Sequence, residues 1–490
     1  MALRTRFAPS PTGFLHIGGA RTALFCHLHA RAHGGTTVLR IEDTDRQRSS
    51  QAAVDAILEG MRWMGLTPDE GPFFQSDNHQ RHLAEAHRLL AEGRAYRCTC
   101  SVEELDAMRE EQRQKGIKPR YDGRCRHRDP GQSSDSPSVI RFKTPQSGDV
   151  SWHDLIQGDI RFANDELDDL VLVRSDNSPT YNLAVVVDDH DMNITLVLRG
   201  EDHISNTPRQ IHLLEALGYQ RPQYAHMPLL HGSDGAKLSK RHGAVSVLQF
   251  REDGFLPAAV NNYLVRLGWS HGDQEIFTME ELERLFDVTR LGRSATIFNQ
   301  EKLLWLNGQH IRTAKPEDLA AELSWHLNRM GLPDPGLERL TLLVPHFQER
   351  SKTMVEMAEK CYFLLVDNLP SYDTAAIDHH CTPDLLAPMT KLCDHLQSLD
   401  AASWQASHLE TIFKLILADH GLKMGKLAQP VRIALTGTTV SPGIYETLLL
   451  LGRDKSLSRL QLGLKKFFNR PPQGGQIQAN DLEQRAESIG

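Results

Sequence analysis

The chain has 490 residues, is 40% hydrophobic and 24% charged, and carries a formal net charge of -8. Its length predicts about two to four domains, and its acidic balance excludes a protein coated in positive charge for indiscriminate nucleic-acid binding while leaving room for local basic patches. No apolar run approaches the ~20 residues of a membrane span, and the N-terminus has no basic segment followed by an apolar one, so a cytoplasmic protein without a membrane partner is expected.

The first elements read as strand, loop, helix, strand. "LRTRFA" alternates in apolar character. "GGARTALFCHLHARAHGG" places Ala20, Ala23, Leu24, Leu28 and Ala32 at helical spacing and stops at Gly34-Gly35. "TTVLRIED" is β-branched, then acidic. Such a β-α-β unit implies a parallel sheet. Helical patterns follow from about 50 to 93, broken near "LTPDEGPFF". Residues 96–185 alternate turns such as "DGRCRHRDPG" with strand-like "SVIRFKT" and "DLVLVRS", which predicts an insertion domain. "NLAVVVDD" and "ITLVLRG" read as strands resuming the sheet, with the helix "NTPRQIHLLEALG" and then "AHMPLLHG" behind them. From about Ser246 onward the pattern is overwhelmingly helical, and the Pro-, Gly- and Gln-rich tail suggests weak order. The expected division is a split Rossmann-type catalytic domain (1–95 and 186–245), the insertion (96–185), a connecting region (246–310) and an all-α region (311–490).

Two short stretches carry nucleotide chemistry. In "PSPTGFLHIGG", Pro9 and Pro11 stiffen the loop, and Gly18 and Gly19 open the helix without a Cβ in a ligand's way. A helix N-terminus behind such a loop suits a phosphate, and His16 beside it can donate to a phosphoryl oxygen. In "GSDGAKLSKRHG", Lys237 and Lys240 share a glycine-flanked loop with Ser239 and Arg241, where mobile cations can neutralise charge growing on a leaving pyrophosphate.

Cys98, Cys100, Cys125 and His127 form C-x-C and C-x-H pairs within a turn-rich stretch. Three thiolates and an imidazole suit one closed, structural Zn²⁺ site, with Tyr121 or a nearby histidine as an alternative to His127. Cys26, Cys361, Cys381 and Cys393 are scattered, as expected of reduced thiols.

"PSPTGFLHIGGARTAL" with "KLSKRHG" resembles the two ATP-site signatures of class I aminoacyl-tRNA synthetases, and "RIEDTD", "RGEDHISNTPRQ" and "LVRLGWSHGDQEIF" resemble their bacterial glutamyl members. Gly19 stands where many class members have a second histidine, and Leu238 where many have methionine. The resemblance implies a class I Rossmann-type parallel sheet split by an acceptor-end-binding insertion, then a stem-contact region and an all-α anticodon-binding region. It implies ATP with Mg²⁺, L-glutamate and tRNA(Glu) as substrates, and a monomer. A relative that charges tRNA(Gln) as well or instead is the alternative. His16, Lys237 and Lys240 would be catalytic, and Gly18, Gly19, His203 and Ser239 would complete the ATP site. Glutamate needs two cations and an anion. Arg6 would fork onto its side-chain carboxylate, Arg199 hold the α-carboxylate and Glu42 accept the ammonium group, with Ala8, Ser10 and Tyr181 adding hydrogen bonds or a wall. For RNA, residues 453–470 hold six Lys/Arg against one acid, and "GLKMGKLAQPVR" adds three basic residues.

Overall fold

The computed structural model describes residues 2–44, 49–127, 137–232, 234–236 and 246–468. The chain forms two compact units, Met1–His310 and Ile311–Gly490.

The first unit begins with β1 (Arg4–Phe7), α1 (Ile17–Ala32), β2 (Thr36–Ile41), α2 (Gln51–Trp63), β3 (Glu70–Phe74) and α3 (His79–Ala91). β1 pairs with β2 and β2 with β3, all parallel, as the β-α-β pattern predicts. β4 (Ala95–Cys98), α4 (Val102–Gln114), β5 (Val139–Phe142), β6 (Asp149–Asp154), β7 (Gly158–Ala163) and β8 (Val171–Val173) follow. β4, β5 and β8 make a small antiparallel sheet of their own. β6 and β7 instead extend the main sheet, so the stretch read as an insertion also supplies part of the large sheet. α5 (Tyr181–Asp191), β9 (Leu196–Gly200), α6 (Thr207–Leu217) and β10 (Gln223–Met227) complete it. The strand order is β3-β2-β1-β9-β10-β6-β7, parallel except for β7.

"NLAVVVDD" corrects the expected strand: it lies in helix α5. Leu183 to Val187 are all buried, so the segment has no polar stripe to reveal a helical period. Valine-rich runs favour strands by propensity, but burial against the sheet decides here. The consequence is functional, because the helix aims Asp188 and Asp189 at the sheet instead of ending a strand with them.

Helices cover both faces of the sheet. Phe7, Leu39, Ile41 and Leu198 pack with Leu24 and Leu28 of α1 on one face. Val38, Val197 and Tyr224 pack with Ile211 of α6 on the other. After β10, the chain forms β11 (Leu230–His231), α7 (Val247–Glu252) and α8 (Pro257–Arg266). Val247 N–H donates to Leu15 O at 2.9 Å, and Ser246 bridges His16. Lys237, Ser239, Lys240 and Arg241 lie outside the described residues.

The second unit has no strand among its described residues; its helices run from Pro316–Arg329 to Arg453–Phe468 around Leu323, Phe413, Leu427, Val431 and Leu460. The basic run at 453–470 is partly structural. Arg459 is buried and donates to Leu435 O at 2.6 Å and Val366 O at 2.6 Å, while Arg453 reaches Leu399 O and Lys455 reaches Val366 O. Among the described residues, no helix is long and apolar enough to cross a membrane.

Candidate active site

Alternation along β1, β2, β9 and β10 puts Arg6, Arg40, Arg199 and His226 beside Val38, Val197 and Tyr224 on the face covered by α5 and α6. All four are buried, as is Glu42 just past β2. This is a polar cluster in a position where a sheet normally packs hydrocarbon, so each charge needs a partner.

Two of the three arginines have carboxylates. Arg6 Nε donates to Asp189 Oδ1 at 3.1 Å, and Arg40 Nη1 donates to the same oxygen at 2.7 Å. Arg40 Nη2 reaches Glu42 Oε1 at 3.2 Å. Burial opposes the charge on Arg6, but Asp189, Glu42 and Tyr181 together outweigh it and raise its pKa. Burial likewise opposes ionisation of Asp189, which Arg6 and Arg40 overcome, holding it below the usual carboxylate range. Glu42 goes the other way: burial raises its pKa despite Arg40 and Arg6. Asp188 is tied off behind the cluster by Gln75 at 2.8 Å, Asn78 at 3.0 Å and His82 at 2.7 Å.

Arg199 differs. Its Nε donates to His226 Nε2 at 3.1 Å and its Nη2 to Thr207 Oγ1 at 2.8 Å. Among the described residues its Nη1 is buried without a protein partner, and no carboxylate pairs with the guanidinium. Burial accordingly lowers its pKa. A buried cation with a spare donor is a seat for an anion. Tyr181 opens α5, and its hydroxyl lies 3.1 Å from His203 Nδ1. Burial, helped by Arg199, pushes His203 down to about 4, so its imidazole is neutral at physiological pH. His203 thus sits with Tyr181 at the polar cluster.

Ala8 and the exposed Ser10 line the loop after β1, which is tied to the end of β2 because Glu42 N–H donates to Pro9 O at 2.9 Å. Farther along this loop, exposed His16 caps α1. Its Nδ1 accepts from Gly19 N–H at 3.1 Å, so in the neutral ring the proton resides on Nε2. The first turn of α1 has no acidic residue, which leaves its N-terminal partial charge available to an anion. A Cβ on Gly18 would lie 3.2 Å from His16 Nδ1, so a side chain there would press on the ring. A Cβ on Gly19 would lie 3.2 Å from Leu15 Cδ1, so a second histidine at this position needs Leu15 to yield.

The Sγ atoms of Cys98, Cys100 and Cys125 converge within 4.8 Å of one another. His127, expected as the fourth ligand, is exposed and falls outside this group. Tyr121 takes that side: its hydroxyl is 3.4 Å from Cys98 Sγ and 4.0 Å from Cys100 Sγ. Burial raises the Cys98 thiol, but Tyr121, the Cys100 backbone and Arg141 together outweigh it and lower its pKa, while burial and Cys125 push Cys100 up to about 12. Three sulfurs at one point fit a soft, tetrahedral cation.

Sequence reasoning brought Arg6, Glu42, Tyr181 and Arg199 to one place but missed Arg40, Asp189 and His226. Arg40 stands two residues before Glu42 in "RIED", a spacing that puts both on one face of a strand.

The chain matches the catalytic domain of class I tRNA synthetases for Glu and Gln over residues 2–305 and an anticodon binding domain over 318–464. It is 61% identical to a glutamate–tRNA ligase of Magnetococcus marinus, covering 96% of this chain and 99% of that one. It is 51% identical to glutamate–tRNA ligase 1 of Nitrosococcus oceani, covering 96% and 99%. A crystal structure of a glutamate–tRNA ligase from Elizabethkingia meningosepticum, in complex with its amino acid, aligns with a TM-score of 0.83 at 30% identity, covering 95% of this chain and all of that one.

Proposed function

This chain belongs to the glutamate–tRNA ligase family of class I tRNA synthetases, and from that premise we propose that it joins L-glutamate to tRNA(Glu) through a glutamyl-adenylate. The observation that carries the site assignment is Arg199, a buried guanidinium with no carboxylate partner among the described residues and one buried N–H unused. Glutamate supplies the missing anion. Its two carboxylates divide between Arg199 and Arg6, Glu42 accepts the ammonium group, and Tyr181, Ser10 and the backbone at Ala8 close the pocket.

In the first step the α-carboxylate oxygen attacks the α-phosphorus of ATP and pyrophosphate leaves. His16 donates from Nε2 to a phosphoryl oxygen, because Gly19 N–H already occupies Nδ1. Gly18 and Gly19 admit the phosphates to the N-terminus of α1, with His203 and Ser239 as further ATP contacts. Lys237 and Lys240 offset the charge developing on the pentacovalent phosphorus and the leaving group. Lys240 is six positions before Ser246, which bridges His16, and this short tether supports the pairing of the two motifs. Mg²⁺ enters with the nucleotide's phosphates. In the second step the 2′-hydroxyl of the terminal adenosine attacks the acyl carbon and AMP leaves. No protein nucleophile is needed.

Cys98, Cys100 and Cys125 would hold one Zn²⁺, and Tyr121, whose hydroxyl lies against two of the sulfurs, is a better-placed partner for it than His127. Its role is to tie β4 to the 121–125 turn, next to the tRNA acceptor end bound by residues 96–185. Residues 246–310 meet the stem and 311–490 the anticodon, a reading supported by the anticodon-domain match. A cytoplasmic monomer suffices, because every residue invoked lies on one chain. The test is glutamate-dependent ATP–pyrophosphate exchange, with and without tRNA. Exchange with glutamate is expected, and absence of exchange in both arms contradicts the proposal.

A further inference from the structure

Behind Arg199, a line of buried polar groups crosses three strands. Arg199 on β9 stands in direct register with His226 on β10, and His226 meets Asp154 at the end of β6. His226 and Asp154 are both fully buried. His226 Nδ1 donates to Asp154 Oδ2 at 2.5 Å, while His226 Nε2 accepts from Arg199 Nε at 3.1 Å. Thr207 Oγ1, 3.1 Å from the same Nε2, accepts the Arg199 Nη2 proton.

Each bond dictates the next. Arg199 has donors only, so His226 must present a lone pair at Nε2. A neutral imidazole with its lone pair there carries its proton on Nδ1, and Asp154 is the acceptor that keeps it there. The other oxygen of Asp154 is already committed: it accepts from the backbone N–H groups of Ile156 at 3.1 Å, Gln157 at 3.0 Å and His226 at 3.1 Å. The carboxylate is therefore fixed in rotation, and it fixes the ring. Arg199 is then held by Nε and Nη2, which leaves Nη1 as the donor for a ligand.

We propose that Asp154 and His226 are positioning residues for glutamate: Asp154 sets the tautomer of His226, and His226 orients Arg199 toward a substrate carboxylate. The proposal rests on the assignment of Arg199 to the glutamate pocket. Neither residue touches substrate, so both act through Arg199.

The relay also makes glutamate affinity depend on pH. The charged and titratable groups facing His226 are Asp154 from β6, Arg199 from β9, Arg6 from β1 and His203 from the turn after β9, with Tyr224 stacked beside it on its own strand. Burial lowers the His226 pKa, Asp154 pulls it up, and Arg199 and Arg6 press it down again, leaving it below the ordinary histidine range. His226 is thus neutral at neutral pH. As pH falls through its pKa, a proton arrives at Nε2 and faces the Arg199 N–H, so the glutamate KM rises on the acid side.

Three variants separate this from a merely structural role. Asp154→Asn keeps an oxygen for the three backbone donors, which turns its NH₂ toward His226 and drives the imidazole proton to Nε2, against Arg199. His226→Leu removes the acceptor. His226→Gln keeps an acceptor for Arg199 and a donor for Asp154 but cannot be protonated. Steady-state aminoacylation by the full chain is expected to show a glutamate KM raised about 10-fold or more for D154N and H226L, with the ATP KM unchanged within about 2-fold. H226Q should stay near wild type and show a smaller acid-side rise in glutamate KM, keeping only the part that Glu42 contributes. A wild type that charges tRNA normally, beside D154N and H226L with unchanged glutamate KM, overturns the relay alone. Equal loss in H226Q, with the ATP KM rising too, also overturns it. Should D154N not fold, H226L against H226Q decides: separate glutamate KM values support the relay and equal ones overturn it. A wild type that cannot activate glutamate overturns the Arg199 assignment and the relay with it.

Discussion

In the proposed mechanism Lys240 and Arg199 carry opposite kinds of work. Arg199 is buried and fixed, so it can choose a ligand before chemistry starts. Lys240 stands between glycines in the sequence, and in the proposed reaction it meets charge that exists only as pyrophosphate leaves. Replacing Lys240 by alanine should therefore slow adenylate formation ~100-fold or more in single-turnover measurements. tRNA binding, read by filter retention, should change little. Near-normal activation would remove Lys240 from the mechanism. At this scale the sequence was uneven. Arg6, Glu42 and Arg199 lie in short motifs that single them out, and the structure buries them in one cluster. Asp189 and His226 could not, because each gains its role from a strand pairing or helix contact far away in sequence. Arg6 and Asp189 are 183 residues apart.

Elements decide the rest. The α1 helix was legible because its glycines and apolar spacing mark both ends. The α5 helix was not, since a short all-buried segment shows neither period, and that misreading hid the carboxylates that hold Arg6 and Arg40. The cysteine cluster was legible from spacing, but its fourth side only as a choice among His127, Tyr121 and a nearby histidine; spacing alone does not show that Tyr121 reaches the sulfurs. Purified protein should contain about one zinc per chain. Tyr121→Phe should lose zinc to a chelator faster than wild type, and His127→Ala at the wild-type rate; a metal-free active enzyme contradicts the zinc site. In the second unit the helices Met424–Thr436 and Arg453–Phe468 meet at Gly463, where an added Cβ would lie 2.7 Å from Ala434 Cβ. Gly463→Ala must push these helices apart and should destabilise the unit by ~1–3 kcal/mol in denaturant titration. An unchanged midpoint would show that the contact relaxes freely.

The molecule as a whole is acidic, with a net charge of -8, yet its proposed partner is a polyanion. Attraction must then come from local patches, and structural use of Arg453, Lys455 and Arg459 narrows the basic run available for it. Specificity for one tRNA then becomes a matter of placement rather than bulk charge, while the residues proposed for glutamate and ATP all lie in the first unit. The central claim is that the buried polar cluster under α5 and the α1 loop serve ligation of glutamate to tRNA(Glu). Aminoacylation of purified tRNA(Glu) and tRNA(Gln) with labelled glutamate tests it most directly. ATP-dependent charging of tRNA(Glu), with tRNA(Gln) left uncharged, is the predicted result; no glutamate on tRNA(Glu) under conditions that activate the amino acid would contradict it.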